Sequence, residues 1–99
     1  MRLTKNQQTK IVSTVRNVAG QSARIFLYGS RLDDLAKGGD VDILVESRPE
    51  LSLLQRAKIK QVLEQELALP VDVVACEANG INRPFVGVVR QKAILLEEP

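Results

Sequence analysis

The sequence contains no histidine and only one cysteine, Cys76, among its 99 residues. These scarcities exclude a histidine-based catalytic triad, a zinc-finger site and a disulfide bond within the chain. The lone thiol is typical of a reducing compartment, so we expect a cytoplasmic protein. No apolar run is long enough to cross a bilayer, and the first ten residues lack the apolar core of a secretory signal. We therefore expect no membrane partner.

Aromatic residues and net charge are also scarce. Three aromatic side chains, Phe26, Tyr28 and Phe85, are too few for a stacking platform that binds single-stranded nucleic acid. A formal net charge of +2 is too small to indicate an electrostatically dominated nucleic-acid binder. The hydrophobic content of 44% argues against disorder. The length predicts a single domain, residues 1–99, with one modest core.

Three aspartates lie at the start of two apolar runs. Because side chains alternate along a strand, Asp40 and Asp42 share one face and the valine and isoleucine neighbours share the other. Asp72 has the same setting in the second run, and residues 47–70 can carry the helix that a parallel connection requires. The pattern predicts that the three carboxylates meet at one end of a sheet.

Clustered carboxylates are costly in a sheet, because aspartate is depleted in strands and like charges on one face repel. Oxygen-rich acidic sites are what Mg²⁺ prefers, and two such ions can support in-line phosphoryl transfer. The alternative interpretation is a solvated pair, Asp40 and Asp42, with Asp72 as a chance acid. The aspartates alone leave both interpretations open.

Gly29 and Ser30 follow the apolar run that ends at Tyr28. Glycine ends the strand and lets the backbone approach a ligand closely. Ser30 is predicted to cap a short helix over residues 31–36, which would aim free N–H groups at a phosphate. The alternative is an ordinary capped turn. If the two strands that flank this turn run antiparallel, the turn lies at the same end of the sheet as the carboxylates.

Arg31 directly follows Ser30 and can approach a bound phosphate. The alternative is a surface ion pair with Asp33 or Asp34. Both interpretations remain open for this residue.

The remaining pattern predicts a mixed α/β order. The predicted elements are helices at 4–18, 31–36 and 53–67, strands at 23–28, 41–46, 71–76 and 93–96, and a short helix from residue 83. The helix at 53–67 is expected to begin at a Ser52 cap and to include Leu54 in its apolar face. We therefore expect an α/β (α+β) fold, with a mixed sheet that carries helices on one face and leaves the other open for substrate.

The combined motif resembles that of the DNA polymerase beta-like nucleotidyltransferase superfamily, and most of all its minimal nucleotidyltransferases (MNT proteins). The matching residues are Tyr28-Gly29-Ser30, then Asp40-Val41-Asp42-Ile43, then Asp72 before Val73-Val74. The resemblance implies the nucleotidyltransferase fold and transfer of a nucleotide monophosphate, AMP from ATP or another NTP, to a hydroxyl.

The resemblance also implies the site and the partner. Asp40, Asp42 and Asp72 would be the catalytic carboxylates and the ligands of a two-ion Mg²⁺ site, with Gly29, Ser30 and Arg31 on the phosphates. The chain has no room for the parts that grip a template, so we expect no direct nucleic-acid template. MNT proteins act as antitoxins for all-helical HEPN toxins, which predicts such a partner as acceptor. The alternative is a non-catalytic module that neutralises a helical partner by binding it.

Overall fold

The computed structural model describes residues 3–32, 39–77 and 84–96 of the chain. Helices and strands alternate along these residues. In chain order the elements are α1 (Lys5–Ala19), β1 (Arg24–Tyr28), a 3-10 turn (Gly29–Leu32), β2 (Val41–Ser47), α2 (Leu53–Leu67), β3 (Val71–Glu77), α3 (Pro84–Lys92) and β4 (Ile94–Leu96).

Both long helices begin at a complete capping box. The Thr4 hydroxyl accepts the N–H of Gln7 at 3.0 Å, and the Gln7 side chain accepts the Thr4 N–H at 2.9 Å. Ser52 and Gln55 repeat the arrangement at α2. Each box satisfies two of the N–H groups that a helix start leaves unpaired. The predicted Ser52 cap is confirmed.

The four strands form one mixed sheet in the order β3-β2-β1-β4. β2 pairs with β1 antiparallel and with β3 parallel, and β4 pairs antiparallel with the other side of β1. α2 is the crossover that connects the two parallel strands, as a parallel pair requires. The predicted mixed sheet is confirmed, and the two pairings of β2 are the ones that bring the carboxylates and the Gly-Ser turn to one end of the sheet.

The main core lies between one face of the sheet and the first two helices. Alternate residues of each strand point into it, together with one side of α1 and one side of α2. Its fully buried members include Ile11, Val12, Val15, Ile25, Leu27, Ile43, Val45, Ile59 and Leu63. This face carries helices, as the alternation of apolar residues predicts.

The opposite face of the sheet is covered over part of its area. Val89 of α3 packs there with Phe26, Leu44 and Cys76 in a second buried cluster. The expectation that this whole face stays open was therefore wrong, because α3 covers its middle. The part near Asp42 and Asp72 remains accessible, since the first side chain is partly exposed and the second exposed.

The prediction that Leu54 belongs to the buried apolar face of α2 was wrong. Its side chain is 83% exposed and that of Leu53 is 73% exposed, whereas Ile59 and Leu63 are fully buried. α2 therefore faces the sheet through its later turns and leaves its first turn in solvent. Within the described residues, no helix is both long and apolar enough to cross a membrane.

Candidate active site

The parallel register of β2 and β3 places two carboxylates side by side. Asp42 pairs with Asp72 in the ladder, and Val41 donates its N–H to the Pro70 carbonyl at 2.9 Å. Residues paired in a parallel ladder project from the same face of the sheet. The predicted juxtaposition of these two aspartates is therefore present in the fold.

Asp40 lies just before β2 and is exposed. The pKa of the Asp42 carboxyl is raised above its ordinary 3.8, first by burial and then by the negative charges of Asp72 and Asp40. Each neighbour resists ionisation of Asp42, which shows that the three groups lie within electrostatic reach of one another. No lysine or arginine in the described ranges forms an ion pair with any of the three.

The chemistry of this donor set fits a hard divalent cation, because all three groups are carboxylates and none has a cationic partner among the described residues. The arrangement is not a finished metal site. Within residues 3–32, 39–77 and 84–96, no three acidic, histidine or cysteine side chains are grouped closely enough to hold an ion. Metal binding by Asp40, Asp42 and Asp72 therefore stays a prediction.

Tyr28 belongs to the same site, although the sequence motif indicates it only as the apolar residue before Gly29. It pairs with Asp42 across the antiparallel ladder, so Asp42 lies between Tyr28 and Asp72 in the sheet. Burial raises the pKa of the Tyr28 phenol to about 12, with further contributions from Asp42 and Asp72. The phenol thus stays protonated near neutral pH. The sequence did contain a signal for this role of Tyr28. It is the last residue of its strand, and an antiparallel neighbour would place it beside Asp42.

Gly29 is held against Asp42 in a conformation that favours glycine. Its φ is +81°, and a Cβ placed there would overlap the Asp42 Oδ2 and lie 3.1 Å from the Asp42 Cγ. Any larger residue would have to displace the carboxylate. The Gly-Ser motif predicts that the backbone at Gly29 can approach a ligand closely. In the structure this backbone also lies close to the Asp42 carboxylate.

Ser30 lies inside the 3-10 turn that begins at Gly29, and its predicted role as a helix cap stays a prediction. Most of the predicted helix over 31–36 falls outside the described residues, as do Asp33 and Asp34. Arg31 donates from Nη2 to the Gly39 carbonyl at 3.2 Å, which ties the turn to the segment that leads into Asp40. This bond gives Arg31 a structural contact beside the site.

Comparisons with known proteins show the same fold. The chain is similar in fold to chains of three solved toxin–antitoxin complexes. One is a mutant MntA–HpeT complex (TM-score 0.75, 22% identity, 98% of this chain and 75% of that chain). Another joins an MNT antitoxin to a tri-AMPylated HEPN toxin of Shewanella oneidensis (TM-score 0.72, 22% identity, 97% of this chain and 74% of that chain). The third is a toxin–antitoxin complex with AMP-PNP (TM-score 0.75, 23% identity, 98% of this chain and 75% of that chain).

No curated protein matches the sequence. The family model described as "Nucleotidyltransferase domain" matches residues 9–98, which include every residue of the candidate site. The match covers nearly the whole chain and both of its motifs. The chain belongs to the nucleotidyltransferase domain family.

Proposed function

We propose that the protein transfers AMP from ATP to a hydroxyl group of an all-helical HEPN-type partner and thereby acts as its antitoxin. The observation that carries the proposal is Asp42, a partly buried carboxylate between Tyr28 and Asp72 with no cationic partner among the described residues. A domain that needed only stability would gain by neutralising it.

Each carboxylate has a role in this proposal. Asp40 and Asp42 would hold Mg²⁺ with the triphosphate, and Asp72 would complete a second ion site beside the acceptor. Bound Mg²⁺ would supply charge stabilisation to the phosphates and to the departing pyrophosphate. Gly29 and Ser30 would hold the β- and γ-phosphates through backbone N–H groups.

The reaction is an in-line displacement at the α-phosphorus. The acceptor oxygen forms a bond to this phosphorus, while the bond to the oxygen that bridges to the β-phosphate breaks and pyrophosphate departs. Asp72 is exposed and can take the proton from the acceptor hydroxyl. The chain's contribution is then mainly positioning and electrostatic preorganisation.

The nature of the neighbours supports the acceptor. One of the similar complexes contains an AMPylated HEPN toxin with its MNT antitoxin, and another contains AMP-PNP. The described part of this chain provides no separate domain for a small acceptor molecule. A partner protein is therefore the acceptor that we propose.

The test is transfer of label from α-labelled ATP to a co-expressed HEPN-type protein. We expect label on the partner only when Mg²⁺ is present, and at least a hundredfold loss of rate in Asp42→Asn, as expected when a catalytic group is removed. Glu77→Gln is the matched control, because Glu77 is an exposed acid at the far end of β3. Label on a free sugar or antibiotic and never on protein would contradict the proposal.

Asp42→Asn also distinguishes AMP transfer from the alternative function, in which the protein neutralises its partner by binding alone. Apolar side chains exposed on α3 and β4, namely Val88, Ile94 and Leu95, are compatible with a partner surface in either case. If Asp42→Asn protects cells from the toxin as well as the wild type does, binding alone carries the function.

A further inference from the structure

A cavity of about 420 Å³ lies between the two long helices. The last two turns of α1 provide most of its lining, and α2 contributes Lys58 and Val62. Both helices pack against one face of the sheet, whereas Asp42 and Asp72 project from the other. The sheet therefore separates this space, the α1–α2 cavity, from the residues proposed for AMP transfer.

The charged residues of this lining are both cations, Arg16 and Lys58. The other members are hydroxyl, amide and valine side chains, so no carboxylate of the described residues lines the space. A concave surface with one sign of charge attracts ligands of the opposite sign. The α1–α2 cavity therefore favours an anion.

The acidic residues of the two helices are paired elsewhere. α1 has none, and the two acids of α2 lie in its second half. Glu64 pairs with Lys60 at 3.1 Å and accepts the Val71 N–H at 2.9 Å, while Lys60 also donates to the Val71 carbonyl at 2.6 Å. Glu66 pairs with Lys10 at 3.0 Å. Neither acid compensates the positive charge at the cavity.

The Arg16 side chain has no hydrogen bond or ion pair with any other described residue. Its Nε is buried without a partner, so the stem of the side chain is packed while the two terminal nitrogens remain available to a ligand. A guanidinium donates in a planar fork that matches two oxygens of a phosphate. A bound phosphate would use donors that the described fold leaves unused.

A cation in the last turn of a helix can also stabilise the exposed carbonyl groups there. Two of these carbonyls in α1 already have donors. Gly20 donates its N–H to the Arg16 carbonyl at 2.9 Å, and the Gln55 side chain donates to the Val18 carbonyl at 3.5 Å. A helix-end role of the Arg16 guanidinium predicts a change in stability alone, whereas ligand binding predicts a change in the affinity for an anion.

Two amide side chains add neutral donors to the cavity. Asn17 and Gln21 are exposed, and their side chains form no hydrogen bond with another described residue. Ser13 is not available as a donor, because its hydroxyl already donates to the Thr9 carbonyl. Amide and cationic donors around a concave space suit phosphate oxygens, and the two valines of the lining offer apolar contact to the rest of a small ligand.

We propose that the α1–α2 cavity binds a small molecule that carries a phosphate group, at a site separate from that of AMP transfer. Arg16 would bind two phosphate oxygens, and Lys58 would add charge beside the same group. Asn17 and Gln21 would donate to the remaining polar atoms of the ligand. The site does not depend on the proposed function, because none of its residues takes part in the transfer.

The test is a titration of the full chain with inorganic phosphate in the absence of Mg²⁺, followed by the NMR shifts of backbone amides. Sodium chloride keeps the ionic strength constant, so that general screening does not change. We expect saturable shifts at residues of the cavity and none at Asp42 and Asp72, whose negative charges repel phosphate. Phosphate should also raise the Tm, because it binds the folded protein.

Arg16→Gln should weaken phosphate binding about tenfold or more, since a hydrogen bond to a charged group contributes that much affinity. Lys58→Gln should weaken it by a smaller factor, because an exposed charge acts through water. Lys5→Gln is the matched control, because Lys5 is an exposed cation of α1 that does not line the cavity. All three variants should keep the wild-type rate of AMP transfer.

The proposal fails if the titration is linear, or if Lys5→Gln and Arg16→Gln lose equal affinity, since phosphate would then be an adventitious ion only. A lower Tm in Arg16→Gln with unchanged phosphate affinity would assign Arg16 to the end of α1 and overturn the site. Slower AMP transfer by Arg16→Gln would mean that the site is not separate. If phosphate does not bind and Arg16→Gln weakens binding of the HEPN-type partner, the cavity receives an acidic side chain of that protein instead.

Discussion

Asp42 and Glu46 lie on the same face of the same strand, four residues apart, in opposite electrostatic settings. Glu46 is buried and is paired with Arg90 at 2.7 Å and with Arg24 at 3.8 Å. Both guanidinium groups also lie over the Phe26 ring, at 4.3 Å and 5.4 Å. Asp42, by contrast, has negative neighbours and a raised pKa.

The contrast shows which carboxylate serves the fold. Two cations compensate the charge of Glu46, and the pair with Arg90 connects α3 to the sheet. No such compensation exists for Asp42 among the described residues, so its charge destabilises the ligand-free fold. A single strand thus carries one acid that is paired within the fold and another that has no cationic partner among the described residues.

The largest effect should follow from filling the space beside Asp42. Gly29→Ala places a methyl group against the carboxylate, and a misplaced catalytic group costs about a hundredfold in rate. We expect AMP transfer to fall by that factor. The measurement is the rate of label transfer to the HEPN-type partner.

Gly20→Ala is the control for backbone strain. Gly20 also has a positive φ, +102°, but a Cβ there would meet nothing within 4 Å. Both variants should lose about 1–3 kcal/mol of stability from the unfavourable backbone, and only Gly29→Ala should lose activity in the folded state. Equal losses of activity would mean that strain and not contact with Asp42 is responsible.

The contribution of Glu46 to stability can be tested with Glu46→Gln. Removing the charge leaves Arg90 with a buried, uncompensated guanidinium, a change that costs about 3–5 kcal/mol when burial is complete. The Arg90 side chain is 25% exposed, so we expect a smaller loss of about 2 kcal/mol in urea unfolding. Transfer by the folded protein should be retained.

Arg24→Gln gives the matched comparison at this end. The Arg24 side chain is 54% exposed and its pair is longer, so its removal should cost about 1 kcal/mol or less. A loss of transfer in folded Glu46→Gln would show that the two ends are coupled through β2. No loss of stability would show that the buried pair does not fasten α3.

The smallest effect should come from neutralising Asp42 without metal. Asp42→Asn removes repulsion from Asp72 and Asp40, so the melting temperature should rise. Exposed charge interactions amount to about 1 kcal/mol or less, which corresponds to at most about 4–8 °C for this size. High monovalent salt should shrink the difference, and Mg²⁺ should stabilise the wild type more than the variant.

The pH dependence of this difference has a definite sign. The Asp42 pKa is raised in the folded state, so the folded protein holds the proton more tightly than the unfolded chain does. This stabilisation is complete at pH values below 3.8, the ordinary pKa of the carboxyl. It is lost as the pH rises through the higher pKa that Asp42 has in the folded protein. The advantage of Asp42→Asn should therefore grow over that window. A variant that melts below wild type at neutral pH would indicate structural hydrogen bonds from Asp42.

Much of the fold could be predicted because local signals agree with the packing. α2 was predicted with the bounds that it has, since the Ser52 cap marks its start and Pro70 follows its end. The pairing of Asp42 with Asp72 followed from strand alternation and a parallel crossover. Each of these features depends on residues close in sequence or on one simple pairing.

The rest depended on contacts between distant parts of the chain. Burial of Glu46 requires Arg90, which α3 brings across the sheet from 44 positions later in the sequence. The exposure of Leu54 depends on where α2 crosses the sheet, which helical periodicity alone does not specify. Tyr28 was missed as a site residue because its place beside Asp42 depends on the register of β1 with β2.

The contacts of α2 with Val71 also stabilise the register in which β3 pairs with β2. Glu64 and Lys60 together hold the N–H and the carbonyl of this one residue. A slip of β3 by one position along β2 would turn Asp72 to the helical face and place a valine beside Asp42. Two side chains of a helix thus support, together with the buried valines, the register in which the two carboxylates meet.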